Sequence, residues 1–297
     1  MLPYRWEELT APEFNEAVEK SKGLCILPIG CSERHGRHIA VGCDAIQAKA
    51  IADAAAEKEY AVVFPTGFWL GEVVGNHSLD LEEAKKAEKR GYISLNPTTI
   101  INLLDELCAE IARNGFRKIL IVNYHGGNTQ MLNFFVRGQM YEKKDYAVMW
   151  TDPNMPETSN ADIFASILAN LDKYPDISEE DVKVMQNIVK NGVYGGHGHI
   201  NETAVCYAVS PAFVRPEFFG DDNGHSQHRT DYLSKMGVTH GGAWGVNYPN
   251  AYHADPSTGC TEAIGKAALD VYATELAQKY KMLKEDEFCV KISQRDV

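Results

Sequence analysis

The chain is organised around residues 24–38, which read LCILPIGCSERHGRH. The first six, Leu24–Ile29, are apolar on both faces, which is typical of a strand buried inside a parallel sheet. The following residues place a carboxylate, Glu33, and an imidazole, His35, where that strand ends, and Gly42-Cys43-Asp44 adds a second carboxylate. Proteins with α/β folds carry their ligands at the carboxyl ends of such strands. The stretch therefore predicts a buried strand that leads directly into a functional site.

Three more short apolar runs, each closed by Pro, Gly, Asn or Asp, predict buried strands at 61–64, 118–123 and 146–150. Apolar residues at helical spacing predict helices at 45–59, 98–114, 129–143 and 261–280. Strands that alternate with helices indicate a parallel sheet with helices on both faces. We expect a single domain, 1–297, with insertions near 79–97 and 152–192. The charged run 81–89 is predicted to be a solvated surface helix rather than a lid.

Composition narrows the function classes. The formal net charge of -12 and the lack of a basic stripe with interleaved aromatic residues argue against nucleic acid as a partner. No basic and apolar leader begins the sequence, and no apolar run approaches the roughly 20 residues that span a bilayer, so no membrane partner is expected. The seven cysteines are scattered without a C-x-x-C pair, which predicts neither a disulfide framework nor a zinc knuckle. A reducing, cytoplasmic location is expected.

The first candidate cluster combines Glu33, His35 and Asp44. In an extended segment residues two apart point to the same side, so Glu33 and His35 can reach one site, and Asp44 follows a glycine-containing turn. Such a mixed ligand set suits Zn²⁺, Mn²⁺ or Fe²⁺. The alternative is that Asp44 caps the helix from residue 45 while Glu33 is a solvated loop residue.

Two further clusters follow later in the sequence. His125 comes directly after the strand 118–123, and the glycines behind it, Gly126 and Gly127, could approach a ligand closely or offer N–H groups to an oxyanion. The alternative is a tight turn with a satisfied histidine. His197 lies in a glycine-rich loop, and Glu202 opens a predicted helix, where the helix dipole favours a carboxylate without any catalytic task.

Taken in order, four motifs of the chain resemble those of the creatininase (creatinine amidohydrolase) family. They are Pro28-x-Gly30-x-x-Glu33-x-His35-Gly36-x-His38, Gly42-x-Asp44, Asn123-x-His125-Gly126-Gly127-Asn128 and His197-x-x-x-x-Glu202-Thr203. The stretch 245–265 also resembles the end of that family, so the resemblance covers nearly the whole chain. It implies a three-layer α/β/α sandwich with a mostly parallel central sheet and, usually, a compact homohexamer.

The resemblance also implies a centre of two divalent metal ions per subunit, Zn, Mn or Fe. By position, Glu33 and His125 would bind one metal, His35 the other, and Asp44 would bridge the two. We add Glu202 as a probable fifth ligand or a group beside the ligands, and as a catalytic residue. His197 matches the catalytic histidine of the family, which passes a proton to the leaving nitrogen.

The departures from the family pattern bear on the substrate. Relatives that act on creatinine carry Tyr and Glu where this chain has Gly126 and Gly127, and that Glu is a metal ligand there. They also carry Trp and an acidic residue where this chain has Val193 and Gly196. Residues 81–96 interrupt the segment after 75–77, which is expected to reshape the entrance. These departures argue against creatinine as the substrate.

The sequence therefore predicts a metal-dependent amidohydrolase that cleaves a C–N bond of a cyclic amide, a formamide or a related small molecule. A peptidase-like member of the family and a non-catalytic, ligand-binding α/β protein are the alternatives. A serine hydrolase is disfavoured because no G-x-S-x-G elbow is present, and a zincin protease because no H-E-x-x-H motif is present.

Overall fold

The central sheet has four parallel strands. The computed structural model describes residues 2–65, 67, 70–71, 73, 80–153, 160–191, 196–221, 224–250 and 257–295. Its strands are β1 (Leu24–Ile29), β2 (Val62–Val63), β3 (Lys118–Asn123) and β4 (Ala147–Thr151), in the spatial order β2-β1-β3-β4. Leu24 lies opposite Lys118 and Ile29 lies opposite Asn123. Because β1 and β3 end level with each other, the turns that follow them meet at one edge of the sheet.

Helices connect and cover these strands. Within the described ranges the α-helices are α1 (Ala11–Lys20), α2 (Cys43–Lys58), α3 (Leu81–Lys86), α4 (Pro97–Arg113), α5 (Asn128–Gly138), α6 (Asn160–Leu168), α7 (Glu179–Asn191), α8 (Ile200–Val209), α9 (Asp231–Lys235), α10 (Ala243–Asn247), α11 (Glu262–Glu285) and α12 (Phe288–Gln294). Short 3₁₀ turns occupy Trp6–Glu8, Gln139–Tyr141, Leu171–Lys173, Pro211–Phe213 and Pro216–Phe218. No described helix combines the length and the apolar character that a membrane span requires.

The two faces of β1 explain the three layers. Leu24 and Ile26 point into a core that they share with residues of α2, α8 and α11. Cys25, Leu27 and Ile29 point into the opposite core, which contains residues of α1, α4 and α5. A strand that is covered on both sides must be apolar throughout, as the sequence of β1 is. The predicted three-layer α/β/α fold with a parallel sheet is confirmed.

Some element ends differ from the sequence expectations. Helix α2 begins at Cys43 rather than at residue 45, so Asp44 lies inside its first turn. Helix α5 ends at Gly138 and continues only as the 3₁₀ turn to Tyr141, whereas a helix was predicted through residue 143. Strand β2 keeps two residues of the predicted four, because its ladder to β1 pairs only Val62 and Val63.

The two segments predicted as insertions contain helices in their described parts. Helix α3 is capped by the Asp80 carboxylate, and Ala84 is its one buried residue, so it is a solvated surface helix. Helices α6 and α7 pack against each other, and α6 also contacts α11. Their status as insertions in a single domain stays a prediction. Residues 75–77, 154–159, Val193 and 255–256 lie outside the described residues.

Candidate metal centre

The fold brings five predicted site residues to one edge of the sheet. The turn after β1 carries Glu33 and His35, the first turn of α2 carries Asp44, the turn after β3 carries His125, and the first turn of α8 carries Glu202. The level ends of β1 and β3 place the first of these turns beside the second. The site is therefore assembled from parts of the chain that are far apart in sequence.

Glycine 30 allows the turn after β1 to lie against α2. A Cβ atom at this position would be 2.4 Å from the Ala45 nitrogen and 2.5 Å from the Asp44 carbonyl carbon. Both neighbours are backbone atoms, so no side-chain rotation could make room. The absence of a side chain at Gly30 thus fixes how closely Asp44 approaches Glu33 and His35.

Asp44 lies at the middle of the cluster. Its Oδ1 atom is 2.8 Å from His35 Nε2, and its Oδ2 atom is 2.9 Å from His125 Nδ1. The residue is 1% exposed, and α2 begins at Gly42 without a side-chain cap. The alternative in which Asp44 caps the helix is therefore wrong. One carboxylate instead faces two different histidines with its two oxygens.

Glu33 is the second buried carboxylate. It is 2% exposed, and its Oε1 atom lies 3.0 Å from His125 Nδ1. A solvated loop residue would not have this burial, so that alternative is also wrong. Three negative or polar atoms converge on His125 Nδ1, because Cys31 Sγ is also 3.3 Å away. Burial alone would lower the pKa of His125, but Cys31 and Glu33 outweigh it and raise that pKa well above its usual value.

The tautomer of His35 indicates that a cation belongs here. His35 Nδ1 is 3.2 Å from the Glu33 carbonyl oxygen, which can only accept, so Nδ1 carries the proton and Nε2 of the neutral ring carries a lone pair. Nε2 is buried and makes no hydrogen bond, although Asp44 Oδ1 is near. A lone pair that faces a carboxylate needs a proton or a metal ion between them.

The charges around His35 agree with this geometry. Burial would lower the pKa of His35, but the carboxylates of Asp44, Glu202 and Glu33 raise it to about 10. Burial likewise opposes the charged form of Asp44, yet His35 and His125 hold its pKa well below the usual range. Without a metal ion, protons on the two imidazoles would balance the buried carboxylates.

His197 and Glu202 close the open side of the cluster. Glu202 Oε2 accepts a hydrogen bond from the Gly198 N–H at 2.5 Å and lies 3.9 Å from His35 Nε2. Burial raises the pKa of Glu202 to about 7. The His197 ring stacks on His35 with 4.0 Å between centroids, and burial together with His35 lowers the pKa of His197 to about 4. The loop before α8 therefore delivers both residues to the centre.

The donor atoms form three overlapping groups that could hold a metal ion. Atoms within each group lie within 4.8 Å of one another, and the groups are Cys31-Glu33-Asp44-His125, Glu33-His35-His197 and His35-Cys43-Glu202. Their nitrogen, oxygen and sulfur donors suit Zn²⁺ and related transition metals better than Mg²⁺ or Ca²⁺. The unpaired Nε2 of His35 and the donor chemistry both fit a divalent metal centre.

Some residues behave differently from expectation, and some were not anticipated. Gly126 and Gly127 are exposed, and a Cβ at Gly126 would have open space within 4 Å, so no close approach requires a glycine there. Trp244 meets His197 edge to face at 5.0 Å, although no motif contains it. His38 received no role from the sequence. It donates from Nε2 to the Gly198 carbonyl at 2.8 Å and so holds the loop that carries His197.

Comparison with known proteins agrees with this arrangement. The family model for creatininase, described as creatinine amidohydrolase, matches residues 7–280. A creatinine amidohydrolase of Pseudomonas putida is 25% identical over 210 residues, which cover 70% of this chain and 72% of that protein.

Solved structures share the fold. A structure described as creatininase Mn has a TM-score of 0.68 at 18% identity and covers 95% of this chain and 99% of its own. A mutant creatininase of Zn-Zn type has a TM-score of 0.66 at 19% identity, with the same coverage. The chain therefore belongs to the creatininase family of metal-dependent amidohydrolases, which act on carbon–nitrogen bonds.

Proposed function

We propose that this protein hydrolyses a C–N bond of a cyclic amide, a formamide or a related small molecule at a centre of two divalent metal ions. The residues that would hold them are Glu33 and His125 on one side, His35 and Glu202 on the other, and Asp44 between the two. The observation that carries the proposal is the position of Asp44. Its two oxygens lie 2.8 and 2.9 Å from nitrogens of two different histidines, which is the placement of a bridging carboxylate.

The choice of metal follows from the donors. Imidazole and carboxylate ligands suit Zn, Mn or Fe, and metal availability decides among ions that one site can bind. The manganese and zinc forms of creatininase support the first two of these for this chain. When bound, such ions supply an activated water and polarise the carbonyl of the substrate.

His197 is proposed to move the proton. Its Nε2 atom is 2.7 Å from the Arg34 carbonyl oxygen, which can only accept, so Nε2 carries the hydrogen and Nδ1 carries a lone pair. Nδ1 faces the centre, 3.8 Å from Glu33 Oε1. The lowered pKa keeps the ring neutral at pH 7. Nδ1 can therefore take a proton from the attacking water and pass it to the departing nitrogen.

Two neighbours hold His197 in this orientation. His35 stacks on one face of the ring at an interplanar angle of 23°, and Trp244 meets it at 76°. Together with the hydrogen bond to Arg34, these contacts restrain the ring on two sides. A general acid–base group acts efficiently when its reacting nitrogen is held at a constant distance from the substrate.

Glu202 is proposed to take the place of a ligand that Gly127 cannot provide. Family members that act on creatinine carry a ligating Glu at this position, whereas Gly127 has no side chain. Glu202 Oε2 lies on the His35 side, where that carboxylate is missing, and the Gly198 N–H fixes its direction. The space at Gly126 and Gly127 supports a substrate of a different shape from creatinine.

A panel assay tests the proposal. Metal-free protein is reconstituted with Zn, Mn or Fe and supplied with cyclic amides, formamides, short peptides and creatinine. We expect two metal ions per chain by elemental analysis and turnover of a cyclic amide or a formamide. Turnover of peptides alone would support the peptidase-like alternative. A protein that binds no divalent metal, or that turns over every substrate equally well after chelation, would refute the proposal.

The matched control is His197→Gln, because it keeps a polar side chain at the position while removing the imidazole. It is expected to bind the same amount of metal and to lose turnover. We also propose a homohexamer, as the family resemblance implies. Light scattering tests this, and a monomer at assay concentration would contradict it.

A further inference from the structure

We propose that Cys31 is a fourth protein ligand of the metal on the His125 side, bound through its sulfur. This inference rests on the two-metal centre of the proposed function and adds a residue to it. One half of the centre would then have four protein ligands, including a soft sulfur. The other half, at His35, Asp44 and Glu202, would keep an open position for substrate.

The first argument is the distance between donor atoms. Cys31 Sγ lies 2.9 Å from Asp44 Oδ2 and 3.3 Å from His125 Nδ1. His125 Nδ1 is in turn 3.0 Å from Glu33 Oε1 and 2.9 Å from Asp44 Oδ2. Ligand atoms of a tetrahedral zinc site, at bonds of about 2.0 to 2.3 Å, are separated by roughly 3.3 to 3.7 Å. The four donors thus have the dimensions of a slightly contracted tetrahedral site.

The second argument is independent of sulfur. His35 Nε2 is fully buried, makes no hydrogen bond and is directed at the other oxygen of Asp44. It indicates a missing cation next to the same carboxylate that Cys31 contacts. The cysteine is therefore part of a centre in which a second atom also lacks its partner.

The third argument is that the backbone of Cys31 is held in place. Gly71 packs directly on it, since a Cβ at Gly71 would be 2.2 Å from Cys31 Cβ. On the other side, Asp44 and His125 receive the sulfur. Cys31 is 0% exposed. This confinement presents the sulfur to the cluster in the absence of metal.

A different role would use the same contacts. Cys31 could remain a thiol and donate its hydrogen to Asp44, which would only orient that carboxylate. Ligation instead breaks the S–H bond, releases the proton to solvent and forms a sulfur–metal bond. The two roles are distinguished by whether sulfur is bonded to the metal in the loaded protein.

Cys43 offers a matched control. It is also fully buried beside the centre, but its sulfur accepts a hydrogen bond from Gln47 Nε2 at 2.8 Å and lies 3.5 Å from Cys206 Sγ. Those contacts direct its sulfur along α2 and toward α8 rather than toward Asp44. We therefore expect Cys43 to stay outside the coordination sphere.

The test is cobalt substitution followed by absorption spectroscopy. In wild-type protein and in Cys43→Ser, we expect visible d–d bands together with a near-ultraviolet thiolate-to-cobalt charge-transfer band. Cys31→Ser should lose the charge-transfer band and keep d–d bands. A band that is absent from the wild type, that persists in Cys31→Ser or that disappears in Cys43→Ser would overturn the assignment.

A second measurement needs no variant and covers the case in which Cys31→Ser fails to fold. X-ray absorption of the zinc-loaded wild type should contain a sulfur shell at about 2.3 Å beside the nitrogen and oxygen shell. A shell of nitrogen and oxygen alone would refute the role of Cys31 while leaving the metal centre intact. Protein that binds neither cobalt nor zinc would instead refute the proposed function itself.

Discussion

Replacing Gly30 with alanine should damage both stability and metal binding. The added Cβ would lie 2.4 Å from the Ala45 nitrogen and 2.7 Å from the Ala45 Cα atom. Ordinary van der Waals contact begins at 3.4 Å, so the turn and the start of α2 must separate by about 1 Å. The atoms in contact belong to the backbone, and no flexible side chain can absorb this movement.

The magnitude follows from the two consequences of that shift. Overpacking against rigid atoms typically destabilises a protein by about 1 to 3 kcal/mol. The displaced backbone includes Asp44, whose oxygens must stay near both His35 and His125. A displacement of about 1 Å at such a site can lower the rate on the order of 100-fold. We therefore expect Gly30→Ala to lose both stability and metal.

Gly126→Ala is the matched control for this measurement. Gly126 also lies at the edge of the sheet beside the centre, but an alanine there has open space, and its φ is not in the left-handed region. Such a replacement is expected to be neutral or to stabilise by about 0.4 to 1 kcal/mol through the unfolded chain. Urea unfolding and elemental analysis measure both variants. If Gly30→Ala equals the wild type in unfolding free energy and metal content, the packing argument is refuted.

Three further predictions concern the centre itself. Asp44→Asn keeps the shape of the side chain but removes the charge shared by His35 and His125, so elemental analysis should find both metals lost, and retention of either would contradict the bridging role. His197→Gln should lower turnover by about 10²- to 10⁴-fold at unchanged metal content, and full activity would exclude His197 as the proton-transfer group. Chelation should lower the melting temperature and zinc should restore it, since metal at 100 times its dissociation constant stabilises by about 2.7 kcal/mol. An unchanged melting temperature in calorimetry would mean that the buried donors are balanced by protons alone.

Local sequence was sufficient for the strands that matter most. The bounds of β1 and β3 agree with the predictions at both ends, because both strands are apolar on both faces and stop at Gly30 and after Asn123. Helix α2 was predicted two residues short. The sequence contains no strong cap before it, and Gly42 provides no side-chain hydrogen bond.

The expectation that Glu33 and His35 act together was too simple. It assumed an extended segment in which both side chains point to one side, but the turn after β1 is irregular and includes the bridge between His35 and Ile39. Glu33 is therefore directed at His125, and His35 is directed at the opposite oxygen of Asp44. The two residues lie in one centre but on different sides of the shared carboxylate.

The sequence by itself determined the apolar pattern of the sheet and the residue types at its edge, because strand periodicity and motif spacing are local properties. Only the tertiary structure decided which atoms face each other. The pairing of β1 with β3 brings His125 to Asp44, packing at Gly30 sets the distance between them, and the Glu33 carbonyl selects the tautomer of His35. These relations join residues far apart in the chain, and no local pattern encodes the distance or direction of such contacts. For the same reason the sequence could present Cys31 only as a buried thiol, whereas the fold directs its sulfur toward the cluster.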